Sequence, residues 1–197
     1  MENRLQTEFF SRDSALVAQQ LLGCILVTKK EGKCSAIITE TEAYYGSDDP
    51  ASHAYRGLTP RNQLMFGRAA IAYVYLCYGM HNLFNIVTRG KGEPGAVLIR
   101  GAVPLEGQSL MEKRRGRGNG RLILNGPGKL TLALGIRLED NGWDLTKQSS
   151  TIYVVKPASA MDLPVCKSAR IGVRAGSNLL FRFYLPEKEV RAKLPLK

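Results

Sequence analysis

The sequence predicts one α+β domain over residues 1–197, built on an antiparallel β-sheet. Three observations predict this class: short apolar runs recur along the chain, turn residues join several of them as hairpins, and few segments have helical spacing. Apolar residues make up 44% of the chain and charged residues 23%, which is a globular composition. A chain of this length buries roughly 70% of its unfolded surface, so its core needs no disulfide or metal.

The first elements are one helix and one hairpin. Residues 11–22 place apolar side chains at helical spacing, and Asp13 or Ser11 is suited to cap the start of this helix. Residues 24–28 form a short apolar strand and residues 34–44 a second one. The polar run between these strands is typical of a hairpin turn.

The middle of the chain predicts a long irregular stretch and three more strands. Residues 46–67 are polar and rich in turn formers, and such a stretch inside a compact domain is usually functional. Residues 71–78 and 82–88 read as two strands that return on each other around a tight turn at residues 78–80. Residues 96–103 form the next strand.

The last third predicts fewer regular elements. The basic, glycine-rich segment 113–121 reads as a loop or a frayed helix end, and a short helix follows within residues 122–134. Residues 151–156 and 179–185 are late strands. We therefore expect a compact domain with a curved antiparallel sheet, flanking short helices and a protruding β-hairpin.

The composition excludes several classes of protein and favours an anionic partner. Lys and Arg number 28 against 17 Asp and Glu, a net charge of +11, which suits a polyanion although basic charge alone also fits a protein that is merely soluble. The chain has no apolar run of membrane-spanning length and no signal peptide at its start, so we expect a cytoplasmic protein. Four scattered cysteines without a CxxC pair and two histidines predict reduced thiols, no metal and no cofactor.

The charge is unevenly distributed along the sequence. Residues 40–50 contain four acids and no base, whereas residues 111–121 contain five bases and one acid. A short acidic segment in a basic chain suggests carboxylates that do chemistry beside an anionic ligand. For Asp48, Asp49 and Pro50, however, a solvated turn is the better interpretation, because these are turn-forming residues.

Two carboxylates and an aromatic ring share one face of the strand 34–44. Side chains alternate along a strand, so Glu40, Glu42 and Tyr44 point the same way. One interpretation is a general base beside an aromatic platform, and the other is an exposed or ion-paired edge strand. A spacing of roughly 6.5–7 Å along the strand would also suit the acid and base of an inverting sugar hydrolase.

The predicted hairpin around residue 79 is rich in tyrosine. Tyr73 and Tyr75 share a face, where they either pack in the core or line a pocket. Tyr78 lies at the turn, and an exposed aromatic ring at a hairpin tip is suited to wedging between bases. Asn85 interrupts an apolar strand and needs hydrogen bonds if it is buried, as a specificity group or as a core amide.

Three loop features give weaker signals. Gly126 to Lys129 open the short helix, where free N–H groups and a lysine can bind a phosphate, although the spacing is not that of a P-loop. Arg61 lies in a Thr-Pro-Arg-Asn turn and is suited to contact a phosphate. His53 lies in the irregular stretch, where a lone histidine is most often only exposed.

Taken in order, these motifs resemble the alkyladenine (methylpurine) DNA glycosylase family. The resemblance extends from about residue 8 to residue 184, and no single motif decides it, whereas the ordered set is specific. The matching segments are Glu40-Thr41-Glu42-Ala43-Tyr44, His53, Thr59-Pro60-Arg61-Asn62, Tyr73-Val74-Tyr75, Tyr78-Gly79-Met80, Asn85, Arg100, Gly126-Pro127-Gly128-Lys129-Leu130, Arg170-Ile171-Gly172-Val173 and Arg182-Phe183-Tyr184.

The resemblance implies a monofunctional enzyme of base excision repair. Such an enzyme flips a damaged purine nucleotide out of duplex DNA and hydrolyses its N-glycosidic bond with an activated water. By position, Glu42 would be the general base, and Arg100 would help to hold the water and the backbone of the flipped nucleotide. Tyr44 and Tyr75 would sandwich the base, with His53 at the edge of the pocket.

The resemblance also assigns roles at the pocket wall and at the hairpin. Ala51 would offer a backbone group to the base, as would His53. Tyr73 would line the pocket, and Asn85 would crowd against the purine 2-position and discourage guanine. Tyr78 would fill the gap left in the duplex, with Met80 beside it. At position 81, where better-known members carry an aromatic residue, this chain has histidine.

The implied partner is double-stranded DNA with alkylated or deaminated purines. Neither a membrane nor an obligate protein partner is expected, and the family implies a monomer. Arg61, Gly126 and Lys129 are the candidate contacts to the DNA backbone. Two alternatives stay open: a non-catalytic nucleic-acid-binding module, and an inverting glycoside hydrolase that uses Glu40 and Glu42.

Overall fold

Antiparallel strands form one sheet that curls into a half-barrel. The computed structural model describes residues 3–116, 123–158 and 162–193. Within these residues the strands are β1 (Ile25–Thr28), β2 (Cys34–Tyr44), β3 (Ala72–Cys77), β4 (His81–Val87), β5 (Ala96–Glu106), β6 (Ile152–Val155), β7 (Cys166–Ser168) and β8 (Arg182–Tyr184). Their order across the sheet is β3-β4-β5-β2-β1-β6, and β7 joins the sheet through β8, which pairs with β2.

Strand β2 lies in the middle of the sheet and positions the site. Along one side it pairs with β5 from Ser35 to Tyr44. On the other side it pairs first with β1 and then, from Glu40 to Glu42, with β8. Glu40 and Glu42 therefore lie between two neighbouring strands, and the edge-strand interpretation of this segment is wrong.

Short helices cover the sheet. They are α1 (Thr7–Phe10), α2 (Ser14–Gln20), α3 (Gln108–Arg115), α4 (Pro127–Leu134) and α5 (Glu187–Ala192), with 3₁₀ turns at Gln63–Phe66 and Leu138–Asp140. The predicted helix over 11–22 is confirmed in a shorter form. Its N-cap is Asp13, whose carboxylate accepts hydrogen bonds from the N–H groups of Ala15 and Leu16 and so satisfies two free donors of the first turn.

The core lies between the sheet and the helices. Helix α2 packs on β2, where the Thr41 hydroxyl donates a hydrogen bond to the carbonyl of Ala18 at 2.8 Å. Helix α4 packs on β4, and there the Thr131 hydroxyl donates a hydrogen bond to the carbonyl of Asn82 at 2.7 Å. The largest buried apolar side chains in this core are Phe10, Leu21, Leu26, Ile38, Phe84, Ile86, Ile99, Met111 and Phe183.

The predicted fold class is confirmed, and so are the two hairpins. Strand β2 has the predicted bounds, and β3 and β4 return on each other around residues 78–80. Of the two interpretations of segment 113–121, the helix end is right at its start, because Lys113 to Arg115 form the last turn of α3. Only Leu110 and Met111 are apolar in that helix, too few for a visible period. Residues 117–121 lie outside the described residues.

Three further elements were not predicted. Helix α1, strand β7 and helix α5 have four, three and six residues, and a periodic pattern needs more positions than these provide. All four cysteines are free thiols. Among the residues that the structure describes, no helix is both long enough and apolar enough to cross a membrane.

Candidate active site

A cleft of about 470 Å³ opens between the β3–β4 hairpin, the start of α4 and the segment that follows β7. Strand ends and loops meet here, so side chains distant in sequence come together. Its walls include Tyr44, Tyr75, Cys77, Tyr78, His81, Leu83, Leu98, Arg100, Arg115, Gly126, Pro127, Gly128, Lys129, Leu132, Ile171, Gly172 and Val173. A small pocket adjoins it, lined by Tyr44, His53, Met65, Tyr73, Tyr75, Asn85 and Ala96.

The predicted shared face of Glu40, Glu42 and Tyr44 is confirmed. Both carboxylates contact Arg100, and the Tyr44 hydroxyl contacts Glu42. The intervening Thr41 turns to the other side of the sheet and bonds to α2. Strand alternation therefore sends alternate residues of β2 to the core and to the cleft.

The carboxylate of Glu42 is fully buried and accepts three hydrogen bonds. Its Oε1 accepts from the backbone N–H of Ile171 at 2.8 Å. Its Oε2 accepts from the Tyr44 hydroxyl at 2.8 Å and from Nη1 of Arg100 at 3.3 Å. A buried charge is tolerated only with such partners. A carboxylate has about four acceptor positions, so within the described part of the chain one position, on Oε1, stays open.

Arg100 is itself held in place by a second carboxylate. Its Nε donates to Oε1 of Glu40 at 3.0 Å, and the same oxygen accepts from Nε of Arg182 at 2.6 Å. Arg182 also donates to the hydroxyl of Ser168 at 2.9 Å. Glu40 therefore ties two arginines from β5 and β8 together, and this use of Glu40 gives no support to an acid and base pair with Glu42.

Four aromatic rings surround the small pocket. The ring centroids of His53 and Tyr75 lie 4.5 Å apart, and those of Tyr73 and Tyr75 lie 5.3 Å apart. Nδ1 of His53 lies 2.9 Å from the Tyr73 hydroxyl. The pKa of the Tyr44 phenol is raised, first by burial and then by the charge of Glu42, so Tyr44 is a neutral hydrogen-bond donor.

His53 is exposed on one side, as the simple interpretation expects, but its ring also packs on Tyr75 and contacts the Tyr73 hydroxyl. Burial, followed by the positive charge of Arg61, lowers the pKa of its imidazole. Asn62 fixes the loop, because its side-chain amide donates to the carbonyls of His53 at 2.8 Å and Gly57 at 2.9 Å. The N–H of Ala51 donates to Asp49 at 3.2 Å, and Ala51 is not among the pocket-lining residues.

Asn85 is buried at the wall of the pocket. Its side-chain amide donates a hydrogen bond to the carbonyl of Tyr73, its cross-strand partner, at 3.1 Å. This contact fixes the side chain on the pocket side of β4. Tyr73 is itself buried, so it packs in the core and lines the pocket at once.

The tip of the hairpin extends into solvent. Tyr78 is 86% exposed and Met80 is 73% exposed. Tyr78 has a φ of 50° and the next residue, Gly79, a φ of 68°, so the turn places a bulky side chain in the left-handed region. Directly after the turn, His81 packs so closely on Gly128 that a Cβ there would lie 3.0 Å from the His81 ring.

Comparison of the sequence with known proteins shows the family to which the chain belongs. A sequence model of the methylpurine-DNA glycosylase family matches residues 8–189. The chain belongs to the methylpurine-DNA glycosylase family. A relative from Carboxydothermus hydrogenoformans is 43% identical over 190 residues, which cover 96% of this chain and 98% of the relative. A relative from Rubrobacter xylanophilus is 48% identical over 83% of this chain and 84% of its own length.

Both relatives, and a third from Methanoculleus marisnigri that is 42% identical over 92% of this chain, carry the provisional name 3-methyladenine DNA glycosylase. The family resemblance drawn from the sequence motifs is therefore confirmed. Methylpurine-DNA glycosylases are by name DNA repair enzymes.

In this member of the methylpurine-DNA glycosylase family, the residues predicted to contact the DNA backbone lie in two places around the cavities. Gly126 and Lys129 line the cleft together with Arg115 of α3. Arg61 lies beside Tyr75, with its guanidinium carbon 5.6 Å from the centroid of that ring. Helix α4 begins with Pro127 after Gly126, so its free N–H groups face the cleft that these residues line.

The site also contains an ion pair that the sequence did not predict. Arg170 and Asp49 are buried and form a bidentate pair, with both N–O distances at 2.6 Å. The interpretation of Asp49 as part of a solvated turn is wrong, although Asp48 and Pro50 beside it are exposed. The partners are 121 residues apart, so only the folded chain brings them together.

Proposed function

We propose that this protein is a monofunctional DNA glycosylase that hydrolyses the N-glycosidic bond of damaged purines in duplex DNA and leaves an abasic site. The observation that carries the proposal is the carboxylate of Glu42, which is fully buried and bonded to the cleft-lining residues Tyr44, Arg100 and Ile171, with three donors and one open acceptor position. A second support is the family to which the chain belongs.

Glu42 is the general base. Its open acceptor position on Oε1 suits a single water molecule, whose proton the carboxylate takes as the water attacks the sugar carbon. Arg100, which donates to Oε2 at 3.3 Å, lies at the wall of the cleft and orients the water and a phosphate of the flipped nucleotide. The three donors hold the carboxylate in one orientation before substrate arrives.

The aromatic pocket holds the flipped base. Extruding a nucleotide costs a few kcal/mol of stacking, and stacking on aromatic rings returns roughly 1–3 kcal/mol per base. Tyr44 and Tyr75 supply these rings, and His53 closes the edge of the pocket. Electron-rich rings also attract positive charge, which favours cationic bases such as 3-methyladenine and 7-methylguanine. Hypoxanthine and ethenoadenine use the same stacking without the charge.

Asn85 sets the selectivity against normal guanine. Its amide is fixed against the carbonyl of Tyr73, so moving it aside breaks this hydrogen bond. A purine with an amino group at the 2-position meets this wall, whereas adenine-type bases do not. Tyr73 supports the wall and holds His53, and a backbone group of Ala51 contacts the base.

The β3–β4 hairpin and the basic residues around the cavities bind the duplex. Tyr78 wedges into the gap that the flipped nucleotide leaves, and Met80 contacts the neighbouring base pair. Lys129 and the N–H groups behind Gly126 bind phosphates on one side of the cleft, and Arg61 binds on the other. Because these contacts are ionic, affinity for DNA falls steeply with added salt.

A duplex that contains one lesion tests the proposal. The purified protein is incubated with labelled DNA carrying a single hypoxanthine or 7-methylguanine, and with the same DNA without a lesion. The expected product is an abasic site in the lesion strand, which breaks only after alkali because no lyase step occurs. A shifted band with intact glycosidic bonds would instead support the nucleic-acid-binding module and overturn the enzyme.

A further inference from the structure

The buried pair of Asp49 and Arg170 connects three parts of the site: the Tyr44 ring, the start of the loop that carries His53, and the segment that contains Ile171. Their side chains are 1% and 0% exposed, and Arg170 lines neither the cleft nor the small pocket. Within the described residues, Nε of Arg170 is a buried donor without a hydrogen-bond partner. A buried ion pair with an unsatisfied donor is a poor source of stability, because desolvation offsets the attraction between the charges.

The first contact of Arg170 is the Tyr44 side chain. The guanidinium carbon lies 4.6 Å from the centroid of the Tyr44 ring. Nη1 also donates to the carbonyl of Ala43 at 3.0 Å, which fixes the guanidinium against β2. Since Arg170 is absent from the cavity walls, it contacts the Tyr44 ring from the protein side. The opposite side of the ring is left to the cleft.

The second contact runs through Asp49 to the loop that carries His53. The Asp49 carboxylate accepts from the N–H of Tyr45 at 3.0 Å and from the N–H of Ala51 at 3.2 Å, besides the two nitrogens of Arg170. These bonds fold the chain just after β2 into a turn. The start of the loop is thereby fixed relative to Tyr44.

The third contact is the backbone of the next residue. Ile171 donates its N–H to Oε1 of Glu42 at 2.8 Å, and it lies in the segment 169–181 that joins β7 to β8 without regular structure. The far end of this segment is tied to β2, where the N–H of Ala43 donates to the carbonyl of Phe181 at 2.8 Å, and the Arg170 side chain is the anchor beside Ile171. Gly176, later in the segment, lies beside both Arg170 and Pro50.

We infer that Asp49 and Arg170 are positioning residues, which act on excision by holding the Ile171 amide on Glu42 and the ring of Tyr44 in place. This inference rests on the proposed function, because it assigns the pair to the reaction in which Glu42 is the base. Displacement of a reacting group by about 1 Å is enough to slow a reaction by as much as 10²-fold.

The test compares binding with excision in variants of the pair. Removing one partner alone leaves an unpaired buried charge, so the main variant is the double substitution Asp49→Asn/Arg170→Gln, which keeps polar groups of similar size without the charges. Single-turnover excision of a lesion duplex is measured beside affinity for undamaged duplex and the midpoint of urea unfolding. We expect excision to fall about 10- to 100-fold, while affinity for undamaged DNA changes less than about twofold.

A matched control separates positioning from general loss of stability. Asp140 is also a buried carboxylate, 1% exposed and 2.7 Å from Nζ of Lys30, but it lies outside the cleft and the pocket. Asp140→Asn should lower the unfolding midpoint and leave the excision rate of the folded protein unchanged. An equal loss of excision in both variants, following the unfolding midpoint, would overturn the positioning role.

The Glu42→Gln background distinguishes failure of this inference from failure of the proposed function. If the pair acts through Glu42, adding the double substitution to Glu42→Gln slows residual excision much less than it slows the wild type. Full excision by Glu42→Gln alone would overturn the proposed function. Impaired Glu42→Gln together with wild-type excision by Asp49→Asn/Arg170→Gln would overturn only the positioning role.

Discussion

The backbone N–H of Ile171 lies 2.8 Å from Oε1 of Glu42, although 129 residues separate the two in the chain. The donor is a main-chain group, so its hydrogen bond is independent of the side chain at position 171. Tyr44 and Arg100 supply the donors on the other oxygen. The carboxylate is therefore oriented by three different segments of the fold before any substrate binds.

Glu42→Gln tests the general base directly. The amide has nearly the same shape but no negative charge, and its NH₂ group meets at least one of the three donors. Excision should fall roughly 10²- to 10⁴-fold, because the variant cannot take a proton from water. Affinity for lesion DNA should be retained, because Glu42 is buried beneath the surface that contacts DNA. Single-turnover kinetics and fluorescence anisotropy measure the two effects.

Glu106→Gln is the control for Glu42→Gln. Glu106 ends β5, is about half exposed and pairs with Lys33, so its loss should leave excision unchanged. Wild-type excision by Glu42→Gln would contradict the assignment. Loss of lesion binding in parallel with excision would show that Glu42 acts by shaping the pocket alone.

Strand alternation explains why the shared face of Glu42 and Tyr44 could be predicted from the sequence. Once residues 34–44 are a strand, Glu42 and Tyr44 must share a face, whatever the rest of the fold does. The same holds for Tyr73 and Tyr75 on β3. Local patterns of this kind depend only on neighbouring residues.

The supporting ion pairs depend on contacts that no local pattern contains. Asp49 has the sequence context of a solvated turn, and only its arginine partner 121 positions later makes it buried. Arg182 belongs to a three-residue strand whose position beside Glu40 is fixed by β2. One signal was available: the segment 40–50 has four acids and no base, so it needs cations from elsewhere in the chain wherever it is buried.

Glu40→Gln distinguishes the two carboxylates. Glu40 joins Arg100 and Arg182, so the substitution weakens the support of Arg100 without removing the base. Excision should fall about tenfold, which corresponds to about 1.4 kcal/mol in the barrier. An inverting pair of carboxylates would require both, and the loss for Glu40→Gln would then match that for Glu42→Gln. The two variants are compared in one single-turnover assay.

Tyr78→Ala removes the proposed wedge. The side chain is 86% exposed, so its loss should change the free energy of unfolding by no more than about 0.5 kcal/mol. Affinity for lesion duplex should fall by roughly 1–3 kcal/mol, because the gap in the duplex loses its stacking partner. Urea unfolding and anisotropy titration measure these quantities.

Leu16→Ala is the control for the hairpin. Leu16 is 40% exposed on α2, which packs on the face of β2 opposite to Glu42. Its substitution should leave affinity for lesion duplex unchanged. Equal affinities for Tyr78→Ala and the wild type would rule out the wedge.

His53 should titrate below its ordinary pKa of 6.5, because burial and then the charge of Arg61 disfavour the imidazolium. The unfolded chain takes up a proton near pH 6.5 that the folded protein does not, so the free energy of unfolding falls as the pH drops below that value. This contribution is present above pH 6.5. The His53→Gln variant can keep the hydrogen bond to Tyr73, but its free energy of unfolding should lack this pH dependence.

The chain has only two histidines, so the measurement is simple. NMR spectra of the imidazole C–H groups between about pH 5 and pH 8 give two titration curves, and a His81→Gln variant assigns them. A neutral His53 matters for the pocket, since an imidazolium 4.5 Å from Tyr75 would repel a cationic purine. A titration midpoint above 6.5 would contradict the prediction and leave the preference for cationic bases without this support.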